Sequence, residues 1–552
     1  MILKNSKIYK NLVIILIMIM SLNLSGCFGS KNGSDDGQKV TLNSYSLILA
    51  AGDTFLLTAS YSGTDNTGFT WKSENETVAT VVDGTVTAIA EGSTNIVVTA
   101  SDGISKAVCK IEVSHNSVFN NSDLNYVFDL NALPEVRIDI TVDQWNALLT
   151  NFDANPKNET EVKAAFKFNK NGVVDSLDEI GIRLRGNTSR KRPEGNNGEM
   201  HNSSNPDWHH AHFALKLDKY VKTNKFRGLK AINMKFFKDD VNYVREVYSY
   251  DLFRRFKVWT APFSSYAKLT INVIGDNTPA YFGIYEMIEP VDSEYLVKRF
   301  PTDNSGNLWK CLYQQNGPAD LKNNNFMSKM GLEDADTGYY PSYDLKTNKK
   351  SLDSAKTQFN TFVNELNSLS DSDFMAWVEG RIDVDLLLRA TAVNVAVGMW
   401  DDYWINGNNY YFYFDSKGKS YFIPYDYDNA LGTSSIVNDS GTQNPLEWGS
   451  SNDRPLINRI LKIEKYKTLY KNYLMQLVAD NSNLFDYSSS VNRITQWHNL
   501  INSGVINDTG DDNYISDNPA SWSNKQNYRL MSSDETNNFF KVRKRTIETS
   551  CK

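Results

Sequence analysis

From about Leu124 to Lys552 the order of secondary-structure patterns limits the possible folds. Strand-like segments come first, and helical patterns lie between and after them. The strand-like segments are "EVRIDITV", "EIGIRLRG", "AHFALKLDK", "KAINMKFF", "YAKLTINVIG" and "YFGIYEMIE". Strands early and helices late are typical of an α+β architecture, and their order favours two lobes.

Residues 39–114 have a different pattern, in which short β-rich runs are separated by Gly, Asp and Asn. Several short strands at close spacing predict a small all-β sandwich. The stretch "FTWKSENETVATVVDGTVTAIAEGSTNIVVTA" carries Trp-x-Ser, Ala-Thr-Val and Ala-x-x-x-Gly-x-x-x-Ile, and it resembles the group 2 bacterial Ig-like domain. The resemblance implies a spacer or a binding module, for example one that contacts the cell wall. Residues 115–123 would then link this domain to the larger region.

The first 26 residues predict export. Lys4, Lys7 and Lys10 precede the apolar run "LVIILIMIM", and small residues follow, which is the pattern of a secretory signal peptide. The run is too short to span a bilayer as a mature helix. "LSGC" resembles a bacterial lipobox, which implies cleavage before Cys27, lipidation of Cys27 and a membrane anchor on the extracellular face. The Gly/Ser/Asp-rich residues 27–38 predict a flexible tether.

Charge and cysteine content exclude some classes of function. The formal net charge is −7, and removal of the three signal-peptide lysines moves it to −10. This acidity argues against nucleic acid as a partner. Beyond Cys27 the cysteines are Cys109, Cys311 and Cys551, which are too far apart to indicate a disulfide framework or a zinc signature.

Carboxylates and an amide lie at the ends of one helical pattern and two strand-like runs in the last third of the chain. The helical pattern "VDLLLRATAVNVAVGM" leads to Asp401 and Asp402, Asn409 precedes the strand-like "YYFYF", and Asp426 and Asp428 follow "SYFIP". Protein kinases use this order: an Asp orients the acceptor hydroxyl, an Asn binds magnesium, and a later Asp binds the metal at the nucleotide phosphates. Oxygen ligands of this kind suit a hard cation such as Mg²⁺.

The pair in "IPYDYDNALG" also has other interpretations. A calcium loop would need an acid or amide and then glycine where Ala430 and Leu431 stand. A glycosyltransferase also uses Asp-x-Asp, but no glycine-rich βαβ pattern precedes this one. A simple turn cap would not explain the position of the pair after "WDDYWINGNNYYFYFD". The phosphotransfer interpretation is therefore favoured.

The larger region resembles the spore coat protein H (CotH) kinase family. The motifs that carry the resemblance are "LPEVRIDITVDQWNALL", "GIRLRGNTS", "HFALKLDK", "DDVNYVREVYSYDLF", "YFGIYEMIEPVD", "NLWKCLY", "WDDYWINGNNYYFYFD", "FIPYDYDNALG" and "PLINRILKIEKYKTLY". They imply an atypical protein-kinase fold over residues 124–552, which transfers the ATP γ-phosphate to Ser or Thr of exported proteins with Mg²⁺ or Mn²⁺. Asp401 would be the catalytic aspartate, and Asp428, Asp426 and Asn409 would bind the metal. Asp402 stands where the family often has glycine.

Arginines and lysines on predicted strands are candidates for contact with the nucleotide phosphates. Arg183 and Arg185 share one strand face next to the turn "GNTS", whose N–H groups could also bind phosphate. The alternative is a solvated basic turn. Lys216 points away from the apolar residues of "FALKL" and could reach a cleft. Most strand lysines face solvent instead.

Acidic and basic residues at family landmarks complete the nucleotide-site prediction. Glu246, on the helical pattern "NYVREVYSYDLF", would be the carboxylate partner of Lys216. Glu289 and Lys310 also match family landmarks, which places them within reach of the cleft. The sequence lacks the Gly-x-Gly-x-x-Gly, His-Arg-Asp and Asp-Phe-Gly motifs of ordinary kinases.

The segment "HNSSNPDWHHAHF" contains a cluster of histidines: His201, His209, His210 and His212. His210 and His212 would share one face of an extended segment and could bind zinc. No cysteine accompanies them, and Asp207 is the only nearby acid. Substrate-loop or solvent-facing histidines are therefore favoured.

Two functions from different classes agree with these observations. The first is a lipid-anchored exported atypical kinase that acts on secreted or surface proteins of the spore-coat type. The second is a surface adhesin or assembly module that uses the same fold without catalysis.

Overall fold

The computed structural model describes residues 40–552 except 51, 53, 64–67, 91, 115–120, 188 and 511–513. The predicted signal peptide, Cys27, the tether and most of the predicted linker lie outside the described residues. Among the residues that are described, no helix combines the length and apolarity needed to cross a bilayer.

The N-terminal part is an all-β unit, as the sequence predicts. Its described strands are β1 (Val40–Leu42), β2 (Ser46–Ala50), β3 (Thr54–Leu56), β4 (Ala59–Tyr61), β5 (Phe69–Ser73), β6 (Ala79–Val82), β7 (Thr85–Ala88), β8 (Gly92–Ala100) and β9 (Lys106–Ser114). The main sheet has the order β2-β9-β8-β5, and β3-β7-β6 forms a second sheet. Because apolar residues alternate along β8 and β9, Ile96, Val98, Cys109 and Ile111 all point into one core.

The first lobe of the large region is a closed β-barrel with the strand order β10-β11-β12-β13-β14-β16-β15. Its strands are β10 (Glu135–Thr141), β11 (Val162–Lys170), β12 (Val173–Leu184), β13 (Phe213–Lys216), β14 (Ala231–Lys235), β15 (Ser264–Ile274) and β16 (Ala280–Ile288). The barrel closes because β10 pairs in parallel with β15, so that Glu135 lies beside Lys268. The sequence predicts these strands but not the closure.

Helices flank the barrel and connect it to the second lobe: α1 (Ser122–Val127), α2 (Val142–Ala154), α3 (Arg245–Arg255) and α4 (Ser293–Arg299). Asp240 fixes the start of α3, because its Oδ2 accepts from the backbone N–H groups of Val244 and Arg245 at 3.0 and 2.9 Å. The next residue, Glu246, therefore has a defined position in the first turn of α3, shortly after β14 ends.

The second lobe combines a sheet of order β18-β19-β17-β20-β21 with the remaining helices. The strands are β17 (Asn307–Cys311), β18 (Met330–Gly331), β19 (Tyr343–Leu345), β20 (Tyr410–Phe414) and β21 (Ser420–Pro424). The helices are α5 (Leu352–Ser368), α6 (Asp371–Arg381), α7 (Val384–Ala396), α8 (Pro455–Ile460), α9 (Glu464–Val478), α10 (Tyr487–Ile501) and α11 (Phe539–Cys551). The predicted α+β content is thus confirmed.

The central helix α7 and the hairpin β20–β21 position the second half of the site. Asp383 caps α7 by accepting from the Leu386 N–H at 3.0 Å, and the helix that follows is mostly apolar and almost wholly buried. The chain turns at Gly398 (φ 69°), where a Cβ atom would lie 2.8 Å from the ring of Phe539. This turn presents the Asp401 loop, and the end of β21 presents residues 425–428.

Candidate active site

A lysine lies among three carboxylates at the junction of β14, α3 and the segment after β21. The Nζ of Lys235 lies 2.5 Å from Glu246 Oε2, 2.6 Å from Asp426 Oδ1 and 3.0 Å from Asp428 Oδ2. Lys235 and Glu246 are buried, whereas the side chains of Asp426 and Asp428 are 37% and 41% exposed. The cluster is therefore fixed on its inner side and open on its outer side.

The proton affinities of these groups reflect burial and the shared ammonium. Burial raises the pKa of Glu246 and raises that of Asp428 to about 7, although Lys235 opposes both shifts. Burial acts in the same direction on Asp426, but Lys235, Arg185 and Lys310 together hold the Asp426 pKa below its usual value. The pKa of Lys235 is well above normal, because these acids outweigh the effect of its burial.

A further buried carboxylate, Glu286 on β16, pairs in register with Lys235. Burial, together with the charge of Glu246, raises the Glu286 pKa well above its usual value. The Oγ of Ser264 donates to Glu286 at 2.5 Å. Neither Glu286 nor Lys235 is among the site residues predicted from the sequence. Acids outnumber the single ammonium here, so the cluster attracts further positive charge.

The open carboxylates have the chemistry of a divalent-cation site. Oxygens of Glu246, Asp426 and Asp428 all lie within 4.8 Å of one another. Hard oxygen donors of this kind suit Mg²⁺ or Mn²⁺, which need only one or two protein carboxylates beside water and phosphate. The residues present therefore fit the predicted metal, with Glu246 as an additional potential ligand.

Asp401 lies on the loop after α7 and is held by asparagine side chains. The amides of Asn406 and Asn408 donate to its Oδ1 at 2.5 and 2.9 Å, and that of Asn409 donates to its Oδ2 at 3.1 Å. Burial raises the Asp401 pKa, and the charge of Asp426 adds to the shift. In this structure the amide nitrogen of Asn409, a predicted metal ligand, therefore bonds to Asp401.

Asn406 was not selected from the sequence, although a signal was present. It stands five residues after Asp401, which is the spacing between aspartate and asparagine in the kinase catalytic loop. The sequence prediction names Asn409 instead, because that residue directly precedes β20.

The adjacent acid, Asp402, points into the protein. It is 5% exposed, and its carboxylate accepts from the Ile405 N–H at 2.8 Å and from the Asn394 amide at 2.5 Å. Burial raises its pKa to about 7. Asp402 thus stabilises the loop, and Asp401 is the member of the pair beside the carboxylate cluster.

Arg185 and Lys310 bring further positive charge near Asp426. Arg185 Nη2 lies 3.4 Å from the Tyr425 hydroxyl, and Lys310 Nζ lies 4.8 Å from the centre of the Tyr425 ring. Among the described residues, neither cation has a carboxylate within ion-pair distance. Both charges are therefore available to an anionic ligand, as the sequence predicts for a nucleotide phosphate.

Other predicted nucleotide contacts have different partners. Lys216 pairs with Asp218 at 3.0 Å and is 39% exposed, so the predicted pairing of Lys216 with Glu246 is wrong. On β13 the apolar residues alternate inward and Lys216 points outward, whereas at the end of β14 both Met234 and Lys235 are buried. The signal for Lys235 is its position at the end of the strand that precedes the helix of Glu246.

Two more predicted residues are committed to structural contacts. The carboxylate of Glu289 receives two bonds from Arg299, the shorter at 2.6 Å, and one from the Phe263 N–H at 3.2 Å. It therefore connects α4 to β15 and is not part of the Lys235 cluster. Arg183 pairs with Glu159 at 3.0 Å.

The histidines do not converge on a zinc site. The only group of potential metal ligands found among the described residues is the carboxylate set, which contains no histidine. His210 and His212 are buried and stack on Phe236, so the prediction that they face solvent is wrong. His209 pairs with Asp207 at 3.3 Å.

His201 has a separate role that the sequence did not indicate. Its Nδ1 lies 3.0 Å from Glu194 Oε2 and its Nε2 lies 2.9 Å from Asp276 Oδ1, with a side chain that is 1% exposed. These two acids raise its pKa even though burial opposes the shift. The bonds tie the long β12–β13 connection to the end of β15.

Three features are those of kinase-like folds. They are a buried Lys–Glu pair between a strand and a helix, an aspartate on a loop after a helix, and acids after the next hairpin. The chain belongs to the CotH kinase protein family, whose match covers residues 182–545. Residues 37–111 match the bacterial Ig-like domain of group 2.

Comparisons with individual proteins add little. No curated protein matches the chain. Among solved structures, domains 5–6 of the S-layer protein SbsC are similar at 15% identity with a TM-score of 0.13, over 33% of this chain and 91% of that one. Domains 4–9 of the same protein give 13% identity and a TM-score of 0.12, over 36% and 32% of the two chains. Likenesses this weak carry no argument about fold or function.

Proposed function

We propose that this protein is an exported, lipid-anchored atypical kinase that transfers the ATP γ-phosphate to Ser or Thr of secreted or surface proteins of the spore-coat type. The observation that carries the proposal is the ion pair of Lys235 with Glu246, which shares its ammonium with Asp426 and Asp428. In phosphoryl transfer the protein acts mainly by positioning and by charge stabilisation, and this cluster supplies both.

Each group has a defined task in this proposal. Lys235, Arg185 and Lys310 bind the nucleotide phosphates, and Asp426 and Asp428, with Glu246 beside them, bind Mg²⁺ or Mn²⁺. When bound, the cation neutralises charge on the phosphates during transfer. Asp401 accepts a hydrogen bond from the acceptor hydroxyl and then its proton. The raised Asp401 pKa suits this task, because a carboxylate with a higher pKa is a stronger base toward the hydroxyl proton.

The proposed location rests on the N-terminal sequence. Lipidation of Cys27 would anchor the protein to the outer face of the membrane, with residues 27–38 as a tether. The partners would be the membrane and an exported Ser/Thr-containing protein, with contact between the Ig-like domain and the cell wall as a further proposal. The net negative charge argues against nucleic acid.

Phosphate transfer from labelled ATP with Mg²⁺ or Mn²⁺ to a Ser-rich surface protein tests the activity. We expect Asp401→Asn and Asp428→Asn each to reduce transfer by at least about 100-fold, since they remove a charge that acts on the reacting groups. The matched control is Asp353→Asn, which makes the same change at an exposed position in the first turn of α5. Its activity should equal that of the unaltered protein.

Two results would contradict the proposal. Transfer that survives both active-site substitutions would exclude the assigned residues. Absence of nucleotide binding by the unaltered protein, with Mg²⁺ or Mn²⁺ present, would favour the alternative function of a non-catalytic adhesin or assembly module.

A further inference from the structure

A buried asparagine on α7 joins the loop that carries Asp401 to the loop that carries Asp428. Asn394 lies in the last turn of α7 and is 5% exposed. Its Nδ2 donates to Asp402 Oδ2 at 2.5 Å, and its Oδ1 accepts from the hydroxyl of Tyr427 at 3.0 Å. One side chain therefore contacts both loops, which are separated by the hairpin β20–β21.

The chemistry of this connection requires an amide. An asparagine side chain has an N–H donor and an oxygen acceptor. The donor can bond to the carboxylate of Asp402 while the oxygen accepts from the hydroxyl of Tyr427. Asp402 and Tyr427 are 5% and 1% exposed, so water does not readily replace a lost bond. A buried polar group left without its partner is strongly destabilising. The three residues therefore tend to keep one arrangement.

Both ends of the connection continue into the candidate site. Asp402 Oδ1 accepts from the Ile405 N–H at 2.8 Å, which fixes the turn that contains Asn406, a partner of Asp401. At the other end, the Tyr427 N–H donates to Glu246 Oε1 at 3.2 Å. The connection thus runs from the Asp401 loop through α7 to the carboxylate cluster and α3.

We propose that Asn394 is a positioning residue that, with Asp402 and Tyr427, couples the Asp401 loop to the Asp426–Asp428 loop and sets their separation. The inference rests on the proposed function, because phosphoryl transfer needs the acceptor-side carboxylate and the cation-binding carboxylates at a fixed distance. Asn394 touches neither set of reacting groups and acts through its two neighbours.

The test uses Tyr427→Phe, which removes only the hydroxyl group from the connection. The matched control is Tyr470→Phe on α9, because Tyr470 is equally buried and its hydroxyl donates to the Pro445 carbonyl at 2.8 Å, outside the connection. Amide hydrogen exchange is measured on the full chain. We expect Tyr427→Phe to raise exchange about tenfold in both 401–409 and 426–431, and Tyr470→Phe to leave both segments unchanged.

A second measurement is Mn²⁺ affinity with a non-hydrolysable ATP analogue, followed by electron paramagnetic resonance. We expect Tyr427→Phe and Asn394→Leu each to weaken Mn²⁺ binding about tenfold, as loss of a group that orients a ligand typically does. Leucine is chosen because Asn394 borders a cavity of about 20 Å³ that alanine would enlarge. The double substitution should be no weaker than Asn394→Leu alone, since both act through one connection.

Several results would overturn the inference. The first is faster amide exchange in 426–431 but not in 401–409. The second is an equal increase in exchange in the Tyr470→Phe control. The third is a loss of Mn²⁺ affinity in the double substitution that equals the sum of the two single losses. If the unaltered protein binds neither Mn²⁺ nor the nucleotide analogue, the proposed kinase function fails. The exchange experiment still decides in that case whether the two loops are coupled.

Discussion

At the scale of single residues, the site depends on one ammonium that serves three carboxylates. Lys235 is the only described cation within ion-pair distance of Asp426, Asp428 or Glu246. Its removal would leave three acids close together without a described cation at ion-pair distance. Lys216, predicted for this role, lies on the adjacent strand and pairs with Asp218. The two lysines therefore form a natural pair for substitution.

Lys235→Met is expected to weaken ATP binding by at least about 30-fold, since loss of one partner from a buried charge pair costs about 2–5 kcal/mol. Titration with a fluorescent ATP analogue measures the change. Lys216→Met is the control and should bind within about twofold of the unaltered protein. Equal losses in the two variants would contradict the assignment of Lys235.

Arg299→Met is expected to lower the free energy of unfolding by about 3–5 kcal/mol, because it leaves the buried carboxylate of Glu289 without its partner. Urea unfolding measures this, and nucleotide affinity of the folded protein should not change. The control is Lys225→Met, which removes a half-exposed lysine and leaves Glu294 paired with Lys230, so it should cost below about 1 kcal/mol. Loss of nucleotide affinity at full folding would show that Glu289 acts in the site after all.

Some of these site residues are predictable from the sequence and others are not, for a physical reason. Asp401 and Asp428 follow recognisable runs, since each comes directly after an element with a strong apolar pattern. Lys235 and Glu286 are defined by the register of β14 against β16, which joins residues about fifty positions apart. Charged residues on strands look alike in sequence until their pairing is known.

At the scale of elements, the connection between β12 and β13 is held to the barrel by His201. The imidazole bonds to Glu194 within that connection and to Asp276 at the end of β15. Each bond is strongest when the ring is charged. The anchoring of this connection therefore depends on the protonation of one histidine.

Stability should fall as pH rises above the unfolded-state pKa of histidine, about 6.5, and through the higher folded-state pKa of His201. The sign follows because the folded state binds the proton more tightly, so the contribution is complete below about pH 6.5. Urea unfolding between pH 5.5 and 9 measures it against His201→Gln, whose profile should lack this component. Parallel profiles for the two proteins would contradict the prediction.

At the scale of the whole molecule, the described residues form separate apolar cores. Ile96 and Ile111 belong to the core of the Ig-like strands, Ile138 and Phe166 to that of the barrel, and α7 to that of the second lobe. The sequence predicted the Ig-like unit and the two lobes, because the length of the strand-like runs and the period of the apolar residues differ between them. It did not predict the barrel, since closure is a property of pairing between distant strands.

A chain that begins at residue 121 should retain the folding and the phosphate transfer of the full chain. Its apolar cores do not include the Ig-like core, so its unfolding temperature should lie within about 2 °C of that of the same domain in the full chain. The full chain should show an additional calorimetric transition from the Ig-like unit. Differential scanning calorimetry measures both. A large drop in unfolding temperature would show that the Ig-like unit supports the kinase-like domain.

The parallel pairing of β10 with β15 also affects how the domain folds. Glu135 on β10 and Lys268 on β15 are about 130 positions apart in sequence, so β10 finds its final partner only late in folding. Until then β10 and β15 are open edges that can pair with other chains, and closure over so long a loop is slow. The finished barrel has no such edge. The same bond pattern that leaves the mature domain without free strand edges thus makes early folding the stage at which association with other chains is easiest.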